Sequence, residues 1–70
     1  MAEESVYRVI DVVGTSTESW EDATRVAIET ASGSLRDLRV AEVVKLDVTI
    51  DDGKVARYRA RVNLSFKYES

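Results

Sequence analysis

The feature that most constrains this sequence is a near-perfect two-residue alternation within residues 54–68. From Ala56 onward, apolar or aromatic side chains occupy every second position, and basic or polar side chains occupy the positions between them. The first set is Ala56, Tyr58, Ala60, Val62, Leu64, Phe66 and Tyr68, and the second is Arg57, Arg59, Arg61, Asn63, Ser65 and Lys67. A period of two predicts a β-strand with one buried face. A strand this long extends past a single short helix, so we expect another subunit to cover part of its apolar face.

The segment before it predicts a second long strand, which we place at residues 39–50. Its alternation breaks at Val43 and Val44, where two neighbouring residues are both apolar. A β-bulge at this point would turn Glu42 and Val40 outward, onto the basic face of the last strand. We therefore expect Glu42 to lie outside the core.

A tight turn must join these two strands. If residues 51–53, Asp-Asp-Gly, form a three-residue loop, Val48 pairs with Ala56. Asp47 then lies opposite Arg57, which is a favourable cross-strand charge pair. A two-residue loop would place apolar side chains on the basic face. We therefore predict the three-residue loop, with its glycine in the left-handed conformation.

The N-terminal half predicts a strand at residues 6–13 and a helix at residues 17–32. The strand carries β-branched and apolar residues on both faces, so we expect it to be covered on both sides. Ser16 is a plausible N-cap of the helix, and Thr15 with Glu18 has capping-box spacing one residue earlier. Gly33 is the predicted stop. The apolar stripe of the helix is mostly alanine, which predicts close packing. Its members are Trp20, Ala23, Ala27, Ile28 and Ala31.

The chain length allows one domain at most, residues 1–70. A domain this short buries only ~60% of its unfolded surface when it folds alone. Disulfides, a metal or oligomerisation usually compensate. The sequence has no cysteine and no histidine, which excludes disulfides, thiolate metal sites and the commonest zinc ligand. Oligomerisation is the remaining means of stabilisation.

The charge balance and the apolar runs restrict the partners. Ten Lys and Arg residues against thirteen Asp and Glu residues give a formal charge of −3, which argues against general nucleic-acid binding. No apolar run approaches the ~20 residues that cross a bilayer. The N-terminal residues MAEESVYR lack the layout of a secretion signal. We therefore expect a cytoplasmic protein with neither nucleic acid nor membrane as a partner.

The sequence contains no common catalytic motif. There is no G-x-S-x-G motif, no P-loop and no G-x-G-x-x-G, and a serine without a nearby base is a poor nucleophile. We therefore predict that the protein is not an enzyme. We interpret Trp20 as a packing anchor. The basic row of the last strand is interpreted as a solvated or interface-pairing face, with anion binding as the alternative.

Four carboxylates are candidate metal ligands on chemical grounds. Asp47, Asp51 and Asp52 lie close to the predicted turn, and Glu42 is expected to point outward. Calcium favours several oxygen ligands from carboxylates and carbonyls. The spacing matches no EF-hand loop, and turn chemistry explains the aspartates equally well.

The order of elements and several particular segments resemble the dodecin family. The matching segments are YRVIDVVGTS before the helix, L-R-x-L before the second strand, A-E-V within it and V-N-L-S-F-K in the last strand. Together they cover nearly the whole chain. The resemblance implies an α+β fold of β-α-β-β order, in which a three-stranded antiparallel sheet partly wraps one helix. It also implies that twelve subunits form a hollow homododecamer.

The resemblance further implies non-enzymatic storage or sequestration of a flavin such as riboflavin or FMN, at contacts formed by Val40, Glu42 and Arg59. Flavin-binding dodecins usually carry a stacking tryptophan at the position of Val40 and a glutamine that bonds the ring edge at the position of Arg59. Losing an aromatic partner costs roughly 0.5–1.5 kcal/mol beyond the lost buried area. Arginine can itself stack on an aromatic ring and donate hydrogen bonds, so we expect weakened flavin binding rather than none.

Three segments are more similar to the branch called calcium dodecins. They are Arg39-Val40-Ala41, Tyr58-Arg59 and Ser19-Trp20-Glu21. That similarity implies a shell that binds cations such as calcium, or one whose role is purely structural. It is the alternative to a flavin store.

Overall fold

The structure is a computed structural model that describes residues 5–67. Its elements follow the predicted β-α-β-β order. They are β1 (Tyr7–Ser16), α1 (Trp20–Ser32), β2 (Leu38–Asp51) and β3 (Lys54–Lys67). The strands form an antiparallel sheet in the order β1-β3-β2, and α1 packs on one face of it, chiefly against β1 and β3. The predicted fold class is confirmed. Tyr68, which the alternation included, lies outside the described residues.

The core lies between α1 and β3. Its buried residues are Ala23, Ala27, Ala60, Val62 and Leu64. Small side chains on α1 allow the helix to approach the sheet closely, as the alanine stripe predicted. No helix within residues 5–67 is long and apolar enough to cross a membrane.

The first strand is longer than predicted because Gly14 belongs to it. Residues 14–16 do not form a turn; they continue the ladder with β3, where Gly14 pairs with Ala60. A Cβ on Gly14 would overlap the carbonyl oxygen of Ala23 and lie 2.8 Å from the Cβ of Ala27. The glycine is therefore required by the close approach of α1 and does not mark the end of a strand.

The helix also begins later than predicted. Its N-cap is Ser19, whose Oγ accepts a 3.0 Å hydrogen bond from the backbone N–H of Asp22. The assignment of the N-cap to Ser16 was wrong, because Ser16 is still paired with Tyr58 in the sheet. Its hydroxyl instead accepts a hydrogen bond from the N–H of Glu18 and donates one to Asp22. Gly33 is confirmed as the C-cap, with ordinary right-handed torsion angles.

The turn between β2 and β3 has two residues, so the predicted three-residue loop was wrong. Asp51 pairs with Lys54, and the turn residues Asp52 and Gly53 both have positive φ, 53° and 75°. Two positive φ angles are typical of a type I′ hairpin turn. The ladder then shifts between Thr49 and Ile50. Because of this register shift, the apolar residues of β2 still share a face with the apolar residues of β3, as the three-residue loop had predicted.

The shift changes the partners along the hairpin but not the faces. Val48 pairs with Tyr58 and not with Ala56, and Asp47 lies opposite Arg59 and not Arg57. The predicted bulge near residues 43 and 44 is confirmed by the register shift between Val43 and Lys45. A further shift follows Leu38. Both irregularities lie on β2, a strand at the edge of the sheet.

The β2–β3 hairpin extends well beyond the helix. Fourteen residues in each strand span about 46 Å, whereas the thirteen residues of α1 span about 20 Å. The molecule measures 57 × 20 × 16 Å as a result. Large apolar side chains are exposed in the single chain, both along the overhang (Ile50 and Val55) and beside α1 (Val43 and Leu46).

Candidate ligand-binding face of the sheet

The sheet has one face against α1 and one face turned away from it, which we call the outer face. Strand register places on it alternate residues of all three strands. They are Tyr7, Val9, Asp11, Val13 and Thr15 of β1, Val40, Glu42, Lys45 and Asp47 of β2, and Arg59, Arg61, Asn63 and Ser65 of β3. Within residues 5–67 no element covers this face, and Val9 and Val40 are more than half exposed. It therefore combines apolar patches with ion pairs.

A bidentate ion pair joins β2 and β3 on the outer face. The Nε of Arg59 donates to Oδ1 of Asp47 at 2.7 Å, and its Nη2 donates to Oδ2 at 3.0 Å. These bonds lower the pKa of Asp47 and raise that of Arg59. The two side chains remain 43% and 42% exposed. Because solvent screens such a pair, its value lies more in fixing geometry than in stability.

The backbone beside this pair is fixed from the other side by Trp20. Its indole Nε1–H donates to the carbonyl oxygen of Asp47 at 2.9 Å. Its ring meets the ring of Tyr58 edge-on, with centroids 5.1 Å apart and planes at 74°. Trp20 thus joins the start of α1 to the hairpin at the level of Asp47 and Arg59. It packs on the hairpin as expected of an anchor, but the residue is 37% exposed and lies outside the buried core.

A second ion pair crosses to β1 with a different geometry. Arg61 approaches Asp11 with Nε at 2.9 Å and Nη2 at 2.7 Å, both measured to the single oxygen Oδ2. The hydrogen bond that Arg61 donates to Asp11 raises the pKa of Arg61. Sequence reasoning missed Asp11. The sequence did contain a signal for it. Asp11 is an acidic residue that lies between Val9 and Val13 on one face of β1, and a row of arginines occupies one face of β3.

The three predicted cofactor contacts share the outer face but do not form one pocket. Val40 pairs with Ser65 and Glu42 with Asn63, so both point outward as predicted. Ser65 lies six residues beyond Arg59 on β3, a distance of about 20 Å. Val40 also borders a groove of about 280 Å³ at the end of α1. Val40 and Arg59 of the same chain are therefore well separated along the sheet.

The four candidate metal ligands are likewise spread along the hairpin. Asp47 is bound to Arg59, Asp51 ends β2, and Asp52 lies in the turn. Glu42 stands exposed on the outer face. Within residues 5–67, no three carboxylates lie close enough together to hold a metal ion.

A protein-family model described as Dodecin matches residues 6–69. The chain belongs to the dodecin family. Dodecins are small ligand-binding proteins, and this dodecin is similar to two curated relatives. It is 44% identical over 63 residues to the calcium dodecin of Mycobacterium tuberculosis, with 90% of this chain and 89% of the relative covered. It is 34% identical over 64 residues to the dodecin of Thermus thermophilus, with coverage of 91% and 93%.

Solved dodecins share its fold. The dodecin of Streptomyces coelicolor superposes with a TM-score of 0.91 at 38% identity, and 99% of each chain is covered. The calcium dodecin of Mycobacterium tuberculosis superposes with a TM-score of 0.83 at 43% identity, and 93% of each chain is covered. That relative is described as a calcium-chelating immunodominant antigen with a calcium-binding site.

Proposed function

We propose that this dodecin is a cytoplasmic, non-enzymatic storage protein that assembles as a hollow homododecamer. We propose further that it binds a small planar ligand on the outer face of its sheet, the face turned away from α1. The ligand class is a flavin such as riboflavin or FMN. The observation that carries the proposal is Arg59. Its guanidinium is held by two hydrogen bonds and left half exposed on an uncovered sheet face. Planar guanidinium groups stack on aromatic rings and donate hydrogen bonds to their edges.

The distribution of apolar surface supports the assembly. Val9, Val13 and Val40 are exposed on the outer face, and Val43 and Leu46 are exposed on the face that α1 only partly covers. Burying such surface against copies of the chain stabilises it by about 25 cal/mol per Å². The separation of Val40 from Arg59 adds a second reason. A ligand site shared between two copies would bring the two kinds of residue together.

Flavin binding is tested by titrating riboflavin fluorescence with the purified assembly. We expect saturable quenching that Arg59→Ala weakens and Arg57→Ala does not. Arg57 is a matched control, because it is an exposed arginine of the same strand that makes no ion pair within residues 5–67. Absence of quenching at micromolar protein would reject a flavin as the ligand.

The second candidate function is cation binding, with calcium as the ion. Two observations favour it: the 44% identity to a calcium dodecin, and three carboxylates, Glu42, Asp51 and Asp52, that have no ion pair within residues 5–67. Unpaired carboxylates from several copies would supply the oxygen ligands that calcium prefers. Calcium would then be bound where copies meet.

Thermal melting with calcium and then with a chelator tests this alternative. We expect calcium to raise the Tm of the wild-type chain and of Asp11→Asn, but not that of Glu42→Gln. Asp11 is a suitable control because Arg61 already pairs with its carboxylate. A Tm that calcium leaves unchanged, or raises equally in all three proteins, would contradict a site at Glu42.

A further inference from the structure

The bidentate ion pair with Asp47 fixes the plane of the Arg59 guanidinium. Two parallel hydrogen bonds run from Nε and Nη2 to the two different oxygens of the carboxylate. This fork-to-fork arrangement makes the two groups roughly coplanar. In the neighbouring pair, Arg61 directs both nitrogens to one oxygen of Asp11, which fixes its plane less firmly.

The ion pair with Asp47 leaves part of the Arg59 guanidinium available to a ligand. It occupies only Nε–H and one N–H of Nη2, so the Nη1 edge and the flat faces are not used by Asp47. The side chain is 42% exposed. The same carboxylate cancels the charge of the guanidinium, so the exposed surface is a planar donor group with little net charge.

Asp47 is itself held in position. Trp20 donates to its carbonyl oxygen at 2.9 Å, and the ring of Trp20 packs against Tyr58, the residue before Arg59. Trp20 therefore bonds to the backbone of β2 and packs on a side chain of β3, on the two sides of the ion pair. A long arginine side chain that is ordered before binding loses less conformational entropy when a ligand arrives.

We infer that Asp47 is a positioning residue that holds Arg59 flat as a stacking platform for the planar ring of the ligand. The inference rests on the proposed function, since it names the residue that prepares Arg59 for the ring. Asp47 acts through Arg59 and does not touch the ligand. An arginine without this partner, such as Arg57, would have to be ordered by the ligand itself.

A double-mutant cycle with riboflavin as the probe tests the inference. Asp47→Asn keeps the size of the side chain but turns an amide N–H towards the guanidinium, which breaks the fork. We expect about tenfold weaker binding in the wild-type background, since that is the scale of the side-chain entropy restored to Arg59. In the Arg59→Gln background, the same change should alter affinity less than twofold. Asp11→Asn is the matched control and should leave affinity unchanged.

A second variant separates the planar platform from simple charge. Arg59→Lys keeps the positive charge and loses the flat fork, so we expect it to bind riboflavin as weakly as Arg59→Ala. Oligomer mass and Tm of each variant show whether it still assembles. Wild-type affinity in Arg59→Lys, tighter binding in Asp47→Asn, or an equal effect of Asp47→Asn in both backgrounds would overturn the inference and leave flavin binding intact. If neither the wild-type protein nor any variant bound riboflavin, the proposed flavin function would fall together with the inference.

Discussion

At the scale of single residues, Gly14 determines how close α1 lies to the sheet. A Cβ at this position would overlap the carbonyl oxygen of Ala23, which belongs to the backbone and cannot move independently of the helix. At Gly33, by contrast, an added Cβ would lie 3.3 Å from the carbonyl oxygen of Thr30, and φ is −68°. A glycine is therefore required at position 14 by the packing of α1, whereas position 33 accommodates a Cβ with a small shift of its neighbour.

Substitution of Gly14 by alanine should be costly, because α1 must move away from β1. Overpacking of this kind costs about 1–3 kcal/mol. We expect a lower Tm for Gly14→Ala and little change for Gly33→Ala, both measured by thermal unfolding at one protein concentration. Equal Tm values for the two variants would show that the close approach of the helix is not needed.

Asp22 should contribute to the dependence of stability on pH. Its hydrogen bond from Ser16 and, next, that from Arg25 lower the pKa of its carboxyl group. A lowered folded-state pKa contributes stability that is present above the unfolded value of about 3.9 and is lost as pH falls through the folded value. We expect the Tm to fall below about pH 4, and to fall less steeply in Asp22→Asn. An identical pH profile in the variant would contradict this role.

At the scale of elements, the β2–β3 turn shows what alternation can and cannot predict. Parity along a strand identifies which face a side chain occupies, so Asp47 was expected on the arginine face. A two-residue turn followed by a register shift gives the same faces as a three-residue loop. Parity therefore could not distinguish Arg57 from Arg59 as the partner of Asp47.

The start of α1 could not be predicted for a related reason. Ser16 and Ser19 are both suitable N-cap residues, and three residues separate them. The pairing of Ser16 with Tyr58 in the sheet decides between them. The bulge in β2 was easier to predict from the sequence, because two adjacent apolar residues at positions 43 and 44 broke an otherwise regular alternation. That break placed Val40 and Glu42 on the outer face.

The type I′ turn should tolerate asparagine and reject a Cβ at its second position. Asp52 and Gly53 have φ of 53° and 75°, and Asn-Gly is a favoured pair for this turn. We expect Asp52→Asn to preserve or slightly raise the Tm, and Gly53→Ala to cost about 1 kcal/mol through its positive φ. Because a Cβ at Gly53 meets nothing within 4 Å, any loss would come from the backbone conformation and not from packing.

At the scale of the whole molecule, the single chain leaves large apolar side chains exposed on both sides of the sheet, which supports the proposed assembly. The hairpin extends beyond α1, the outer face has no cover within residues 5–67, and exposed valines occur on both sides of the sheet. The proposed ligand contacts Val40 and Arg59 lie about 20 Å apart in one chain, which agrees with a site shared between copies. The extended hairpin, the uncovered outer face and the separation of the proposed ligand contacts all support the proposed homododecamer.

Native mass spectrometry of the purified protein at micromolar concentration tests this account most directly. We expect one dominant species of about 94 kDa, which corresponds to twelve copies of the 7.8 kDa chain. A dominant 7.8 kDa species would contradict the account, because neither the outer face nor the ligand site could then be completed by another copy.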